Sequence, residues 1–181
     1  MSSFYTEEEL KNIGFKSVGD NVLISSKISI YTPENIEIGN NVRIDDFGIL
    51  SGSIKIGNNV HIASYVALYG AYGIEIQDYC GVSAKSVIYS ATDDYGGNYL
   101  TNPTFPIETR NVIKGKVILE KHTIVGAGCI ILPNIVLREG TAVGTMSLIN
   151  KSTEAWSINV GIPAKRVRDR EKGLLRFKDF A

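Results

Sequence analysis

A parallel β-solenoid is the fold this sequence predicts, and three observations predict it. The apolar residues are mostly β-branched, with Ile 24 and Val 14 against Leu 11, a balance that favours strands over helices. An aliphatic residue recurs at every sixth position through Ile38, Ile44, Leu50, Ile56, Ile62 and Leu68, with a small or β-branched residue four places after it, as at Val42, Gly48, Val60 and Val66. The segment IGNN occurs at Ile38 and again at Ile56, one coil of three hexads apart, so equivalent residues stack into ladders of parallel strands. First and fifth side chains of each hexad point into a narrow interior, which is why the fifth is small. A β-sandwich would not hold a six-residue frame for so long.

The elements follow in chain order as one domain. Residues 1–14 hold a short helix that caps one end of the solenoid, with Thr6 at its N-cap and Glu9 completing a capping box. Residues 18–93 are coils: a looser turn from Val18, the clear frame from Ile38, and its return at Ile76, Val82 and Ile88. Residues 94–116 lose the frame, contain Pro103 and Pro106 and three glycines, and form a long inserted loop whose Tyr95, Tyr99 and Phe105 need something to pack against. The frame resumes over 117–153 at Leu119, Val125, Ile131, Leu137, Val143 and Ile149. Residues 163–181 are rich in Lys and Arg and are expected to form a basic helix, with Val167, Leu174, Leu175 and Phe177 available for packing.

Composition narrows the function. Nineteen basic and nineteen acidic side chains leave no net charge, so no nucleic-acid partner is expected. No apolar run is long enough for a membrane span and the start lacks a signal-peptide pattern, so a cytoplasmic protein is expected. Cys80 and Cys129 form no CxxC pattern and are read as small buried residues.

The stretch VGAGCIILPNIVLREGTAVGTMSLINK from Val125, followed by VGIPAKRVR from Val160, resembles the hexapeptide-repeat acyltransferases, most closely the sugar and xenobiotic O- and N-acetyltransferases. The resemblance implies a left-handed parallel β-helix with three flat faces, a homotrimer with sites between neighbouring chains, and acetyl-CoA as cosubstrate with no metal. It implies that the inserted loop reaches over a neighbouring subunit. It places the coenzyme beside the backbone N–H groups of Gly126, Ala127 and Thr145, beside Asn150, and near the cations Lys151, Lys165, Arg166 and Arg168, which suit its phosphates.

In that family a His near the start of the inserted loop is the usual base, but here the pattern reads Ser90-Ala91-Thr92-Asp93-Asp94-Tyr95. Asp93 stands at the His position. Asp93 or Asp94 would need a raised pKa to accept a proton well. His61, the sixth residue of its hexad, should project from a flat face beside Ala63, where the family contacts its acceptor. The catalytic candidates are therefore His61, Asp93 and Asp94. Asp45, Asp46, Ala63 and Tyr95 are the acceptor-binding candidates, and His122 falls at a corner with varied residues. Two His cannot supply the three that hold zinc in the hexapeptide-repeat carbonic anhydrases. The expected activity is transfer of acetyl from acetyl-CoA to a hydroxyl or amine of a sugar, nucleotide sugar or polysaccharide building block. An antibiotic-modifying acetyltransferase is the alternative, and a non-catalytic scaffold the alternative of another class.

Overall fold

The computed structural model describes residues 3–180; the outermost parts of both terminal segments, 1–2 and 181, lie outside them. It is the expected parallel solenoid. One face stacks Ser17–Val18, Ile36–Ile38, 54–56, 74–76, Val117–Leu119 and Val136–Leu137. The second stacks Leu23–Ile24, Arg43–Ile44, His61–Ile62, Gly81–Val82, Ile124–Val125, Ala142–Val143 and 158–159. The third stacks Ser29–Tyr31, 49–51, 67–69, Val87–Tyr89, Ile130–Ile131 and Leu148–Ile149.

The hexad explains this geometry residue by residue. Its first and fifth positions fill the interior: Ile38, Val42, Ile44, Leu50, Ile54, Ile56, Val60, Ile62 and Val66 are all buried. In later coils the fifth position is Cys80, Ser86, Thr123, Cys129, Ile135, Thr141 or Ser147, each buried and all but Ile135 small. The fourth position turns the corner with positive φ, at Asn41, Phe47, Asn59, Tyr65, Tyr79, Lys85, His122, Asn134 and Met146. Polar ladders and stacked rings offset the strain of these left-handed conformations. At the corner between the first and second faces, side-chain oxygens of Asn40, Asn58 and Asp78 each accept the backbone N–H of the coil before, at 2.8–2.9 Å. Higher on that corner the rings of Tyr79 and His122 stack at 4.9 Å, and His122 lies 6.1 Å from Trp156.

One end of the chain matches expectation and two segments differ. The N-terminal helix, Glu7–Ile13, has the Thr6–Glu9 capping box and ends at Gly14, as read. The inserted loop is shorter than 94–116, because Ala91–Asp93 pairs antiparallel with Val112–Lys114 and carries the excursion out on a two-stranded ribbon. The predicted basic helix over 163–181 is instead a strand, Ala164–Asp169, folded back antiparallel on Ser157–Gly161, followed by a 3-10 segment, Gly173–Phe180. The last coil would otherwise end in a row of unpaired backbone groups, and the returning strand covers that edge. Arg170 then anchors the segment by donating to the carbonyls of His122 at 2.7 Å and Gly140 at 3.1 Å.

Candidate functional site

The second-to-third corner collects seven of the residues singled out above. From the N-terminal coils upward it stacks Asp45 and Asp46, then Ala63, then Ser83, then Gly126 and Ala127, then Gly144 and Thr145. The register of the adjoining second-face strands fixes this order. His61 enters it from the second face, paired with Arg43 below and Gly81 above. It projects outward as predicted, with 53% of its side chain exposed.

At the N-terminal end of the column the carboxylates are tied down. Asp45 accepts from Arg43 Nε at 2.7 Å and lies 2.7 Å from His61 Nε2. Burial pushes its pKa up, but the hydrogen bonds from Arg43 and His61 outweigh that, and the net effect is a carboxyl below its ordinary value. Asp46 is likewise lowered, by the Ser25 hydroxyl at 2.6 Å and then by Lys27 at 3.0 Å. Both are acceptors of hydrogen bonds rather than bases. Phe47 and Tyr65 stack at 5.1 Å on the same corner and leave an exposed aromatic shelf.

Higher up, the chain offers amides. Gly126 does not: its N–H is spent on the Val143 carbonyl at 2.8 Å, because it opens the corner while still in the ladder. This corrects the expectation that its amide is available to a ligand. The N–H groups of Ala127 and Thr145, one place further into their turns, have no partner among the described residues. Gly126 serves by being small, since a Cβ there would fall 2.7 Å from Thr145 N. Above this pair Val160 packs over Gly144, and Lys165 is paired with Val160 across the terminal hairpin, so the cationic strand crowns the corner. Arg166 meets Glu154 at 3.2 Å and Asp169. With Lys151 it lines a cleft at the C-terminal end of the solenoid. Lys165 and Arg168 have no ion pair among the described residues. Asn150 is exposed just past the last third-face strand.

Asp93, Asp94 and Tyr95 lie elsewhere in the chain. The strand Val87–Tyr89 crosses the third face between Ser83 and the ribbon that carries them. One Asp93 oxygen accepts the Asn102 N–H at 3.0 Å. Asp94 is held twice, by Gly96 N–H at 2.7 Å and Asn111 Nδ2 at 2.9 Å. The Asn111 contact, then the Gly96 contact, lower its pKa. Both Asp94 oxygens are thus engaged within the loop. Tyr95 is 86% exposed, and Tyr69 and Tyr89 stack at 5.3 Å on the third face before the ribbon. His122 is structural: it is wedged between Tyr79 and Trp156, and desolvation lowers its pKa. Ser83 was not singled out from the sequence. Its position one residue after Val82, equivalent to Ala63 after Ile62 and Gly126 after Val125, was the available signal.

No family profile matches the sequence, but individual proteins do. The chain is 46% identical over 179 residues, 97% of its length and 93% of the relative's, to a dTDP-4-amino-4,6-dideoxy-D-glucose acyltransferase of Escherichia coli. It superposes with a TM-score of 0.97 and 52% identity, covering 99% of this chain and 96% of the other, on AntD, an N-acyltransferase from Bacillus cereus in complex with dTDP and 3-hydroxybutyryl-CoA. A galactoside acetyltransferase with coenzyme A, at 15% identity, TM-score 0.61, and coverage of 94% and 72%, shows the shared fold. A hexad solenoid with relatives of this kind is an enzyme of acyl transfer from coenzyme A. The chain belongs to the hexapeptide-repeat acyltransferases. Among the described residues no helix is long and apolar enough to cross a membrane, and no group of three or more His, Cys, Asp or Glu could hold a metal ion.

Proposed function

We propose that this protein transfers an acyl group from acyl-CoA to the 4-amine of a dTDP-linked 4-amino-4,6-dideoxyhexose. The observation that carries this reading is the near full-length identity to the Escherichia coli enzyme that acts on such a sugar. A serine-to-alanine variant of AntD has also been crystallised with dTDP-4-amino-4,6-dideoxyglucose and coenzyme A.

The missing loop His supports the same reading. A hydroxyl must lose its proton as it attacks a thioester, which calls for a base such as imidazole; a neutral amine attacks with its own lone pair. The amine nitrogen bonds to the thioester carbon, giving a tetrahedral centre with an oxyanion and an ammonium. The centre collapses as the C–S bond breaks, the thiolate takes its electrons, and the ammonium proton passes by way of the Asp93 carboxylate to solvent or to the sulfur. A carboxylate at Asp93 suffices to orient the amine and hold the ammonium. Ser83 and Asp93 have the same sequence separation as the serine and the aspartate replaced in crystallised AntD variants. We assign Ser83, with the free Ala127 and Thr145 amides above it, to the thioester, and Lys165, Arg168, Lys151 and Asn150 to the coenzyme's polar end. His61, Asp45, Asp46 and Ala63 border the acceptor.

Because Ser83 and Asp93 lie on opposite edges of the third face, the loop of one chain completes the corner of a neighbour, and the enzyme is a homotrimer. Use of acyl-CoA and a nucleotide sugar supports a cytoplasmic location and a role in supplying acylated sugars for glycan assembly. The test is mass spectrometry of dTDP-4-amino-4,6-dideoxyglucose after incubation with acetyl-CoA or 3-hydroxybutyryl-CoA, with chloramphenicol and a galactoside as competing acceptors. An acylated nucleotide sugar is expected; acylation of chloramphenicol alone would overturn the reading in favour of an antibiotic-modifying enzyme.

A further inference from the structure

Arg110 ends the inserted loop just before the ribbon strand Val112–Lys114 and carries a charge that nothing in the described chain neutralises. Its Nε is sealed from solvent and makes no hydrogen bond among the described residues. The residue as a whole is only half-buried, so its two terminal nitrogens, likewise without a partner among the described residues, open outward. The ribbon brings Asp93 opposite Val112 and Asp94 beside Asn111, and Glu108 is two residues away, yet among the described residues no carboxylate pairs with Arg110. The backbone of Arg110 is fixed, donating to the Ile107 carbonyl at 3.2 Å and bridging to Leu100. The side chain therefore leaves a rigid point, and its buried N–H lacks the acceptor that such a group requires.

A guanidinium fork with open donors matches the oxygens of a phosphate or diphosphate. Two substrates of the proposed reaction carry that chemistry, coenzyme A and the nucleotide sugar. The cations Lys165 and Arg168 already crown the coenzyme end of the corner, whereas Arg110 lies two residues before Val112, the ribbon partner of Asp93, which is the residue assigned to the acceptor amine. Lys85, at the corner turn, is exposed and holds no comparable fixed geometry. We propose that Arg110 binds the diphosphate of the nucleotide-linked acceptor and so selects nucleotide-activated over free amino sugars. The proposal rests on the acceptor being nucleotide-linked.

Isothermal titration of the full-length protein with dTDP, thymidine and coenzyme A separates the possibilities. Arg110→Gln should weaken dTDP binding about ten- to a hundredfold, the range for losing a hydrogen bond to a charged group, while leaving thymidine and coenzyme A affinities unchanged. Arg110→Lys should recover part of the loss, and unchanged melting curves show that both variants fold. Unaltered dTDP affinity in Arg110→Gln, or a loss confined to coenzyme A, overturns the proposal. A wild-type protein that binds coenzyme A but not dTDP overturns the acceptor assignment itself, and the role of Arg110 with it.

Discussion

His61 Nε2 stands 2.7 Å from Asp45 Oδ2, joining one coil to the next across the edge of the candidate site. Arg43, directly below His61 in the ladder, holds the other Asp45 oxygen at 2.7 Å. The parallel register makes this possible, because it sets Arg43 and His61 on the same outward column with Asp45 at the turn beside them. The carboxylate fixes the imidazole, so His61 presents a constrained ring to whatever occupies the corner.

The pH dependence of stability follows from the lowered pKa of Asp45. A depressed carboxyl contributes stability that is present above its unfolded value of about 3.9 and is lost as pH falls through its lower folded value. Asp45→Asn should melt below wild type at pH 7 by an amount equivalent to no more than about 1 kcal/mol, since the pair lies at the surface. The gap should close in acid below pH 4. Melting curves at both pH values check this, and an equal gap at each would show that the ion pair is not its source.

Burial pushes the Cys80 thiol up to about 12 and the Cys129 thiol up as well. Thiolate is the reactive form. Native protein should therefore show no fast reaction with Ellman's reagent at pH 8, and two thiols should appear in guanidinium chloride. Rapid labelling of one thiol in the native state would place that cysteine outside the packed interior.

Much of the fold was legible because its signals are local and repeated. The spacing of Ile38, Ile44 and Leu50 states which side chains meet in the interior, and Thr6 with Glu9 states where a helix begins. What was not legible depends on neighbours in space. The Lys- and Arg-rich run from Ala164 reads as a helix until the open edge of Ser157–Gly161 is seen to need a partner. Gly126 and Ala127 look alike in sequence, yet only one amide is spent on the ladder. Asp94 and Asp93 are adjacent, but the fold of the loop ties both oxygens of only the first.

Gly126→Ala tests the coenzyme edge. The added Cβ would sit 2.7 Å from Thr145 N and 2.8 Å from the Val143 carbonyl oxygen, both backbone atoms that cannot swing aside. The corner must open, displacing the Ala127 and Thr145 amides. Overpacking of this kind costs about 1–3 kcal/mol, and the KM for acyl-CoA should rise at least tenfold with a smaller change in KM for the acceptor. An unchanged KM for acyl-CoA in a folded variant would remove these amides from the coenzyme site.

Asp93 and Asp94 can be separated by the same conservative change. Asp93→Asn keeps an oxygen to accept the Asn102 N–H, so the loop stays in place while the charge beside the acceptor amine disappears. Turnover should fall by about a hundredfold or more, in the range that proton-handling groups contribute, with the KM for acyl-CoA little altered. Asp94→Asn also loses a charge, but its two oxygens face the Gly96 amide and Asn111, and one of them is retained. Its cost should appear mainly in loop order, as a rise in KM for the acceptor with turnover within about threefold of wild type. Initial rates with both substrates varied distinguish these patterns. If Asp94→Asn loses turnover and Asp93→Asn does not, the roles are reversed and the hydrogen bonds that hold Asp94 must release it in the working complex. If neither loses turnover, the amine sheds its proton to solvent unaided, and the two carboxylates serve only to shape the loop.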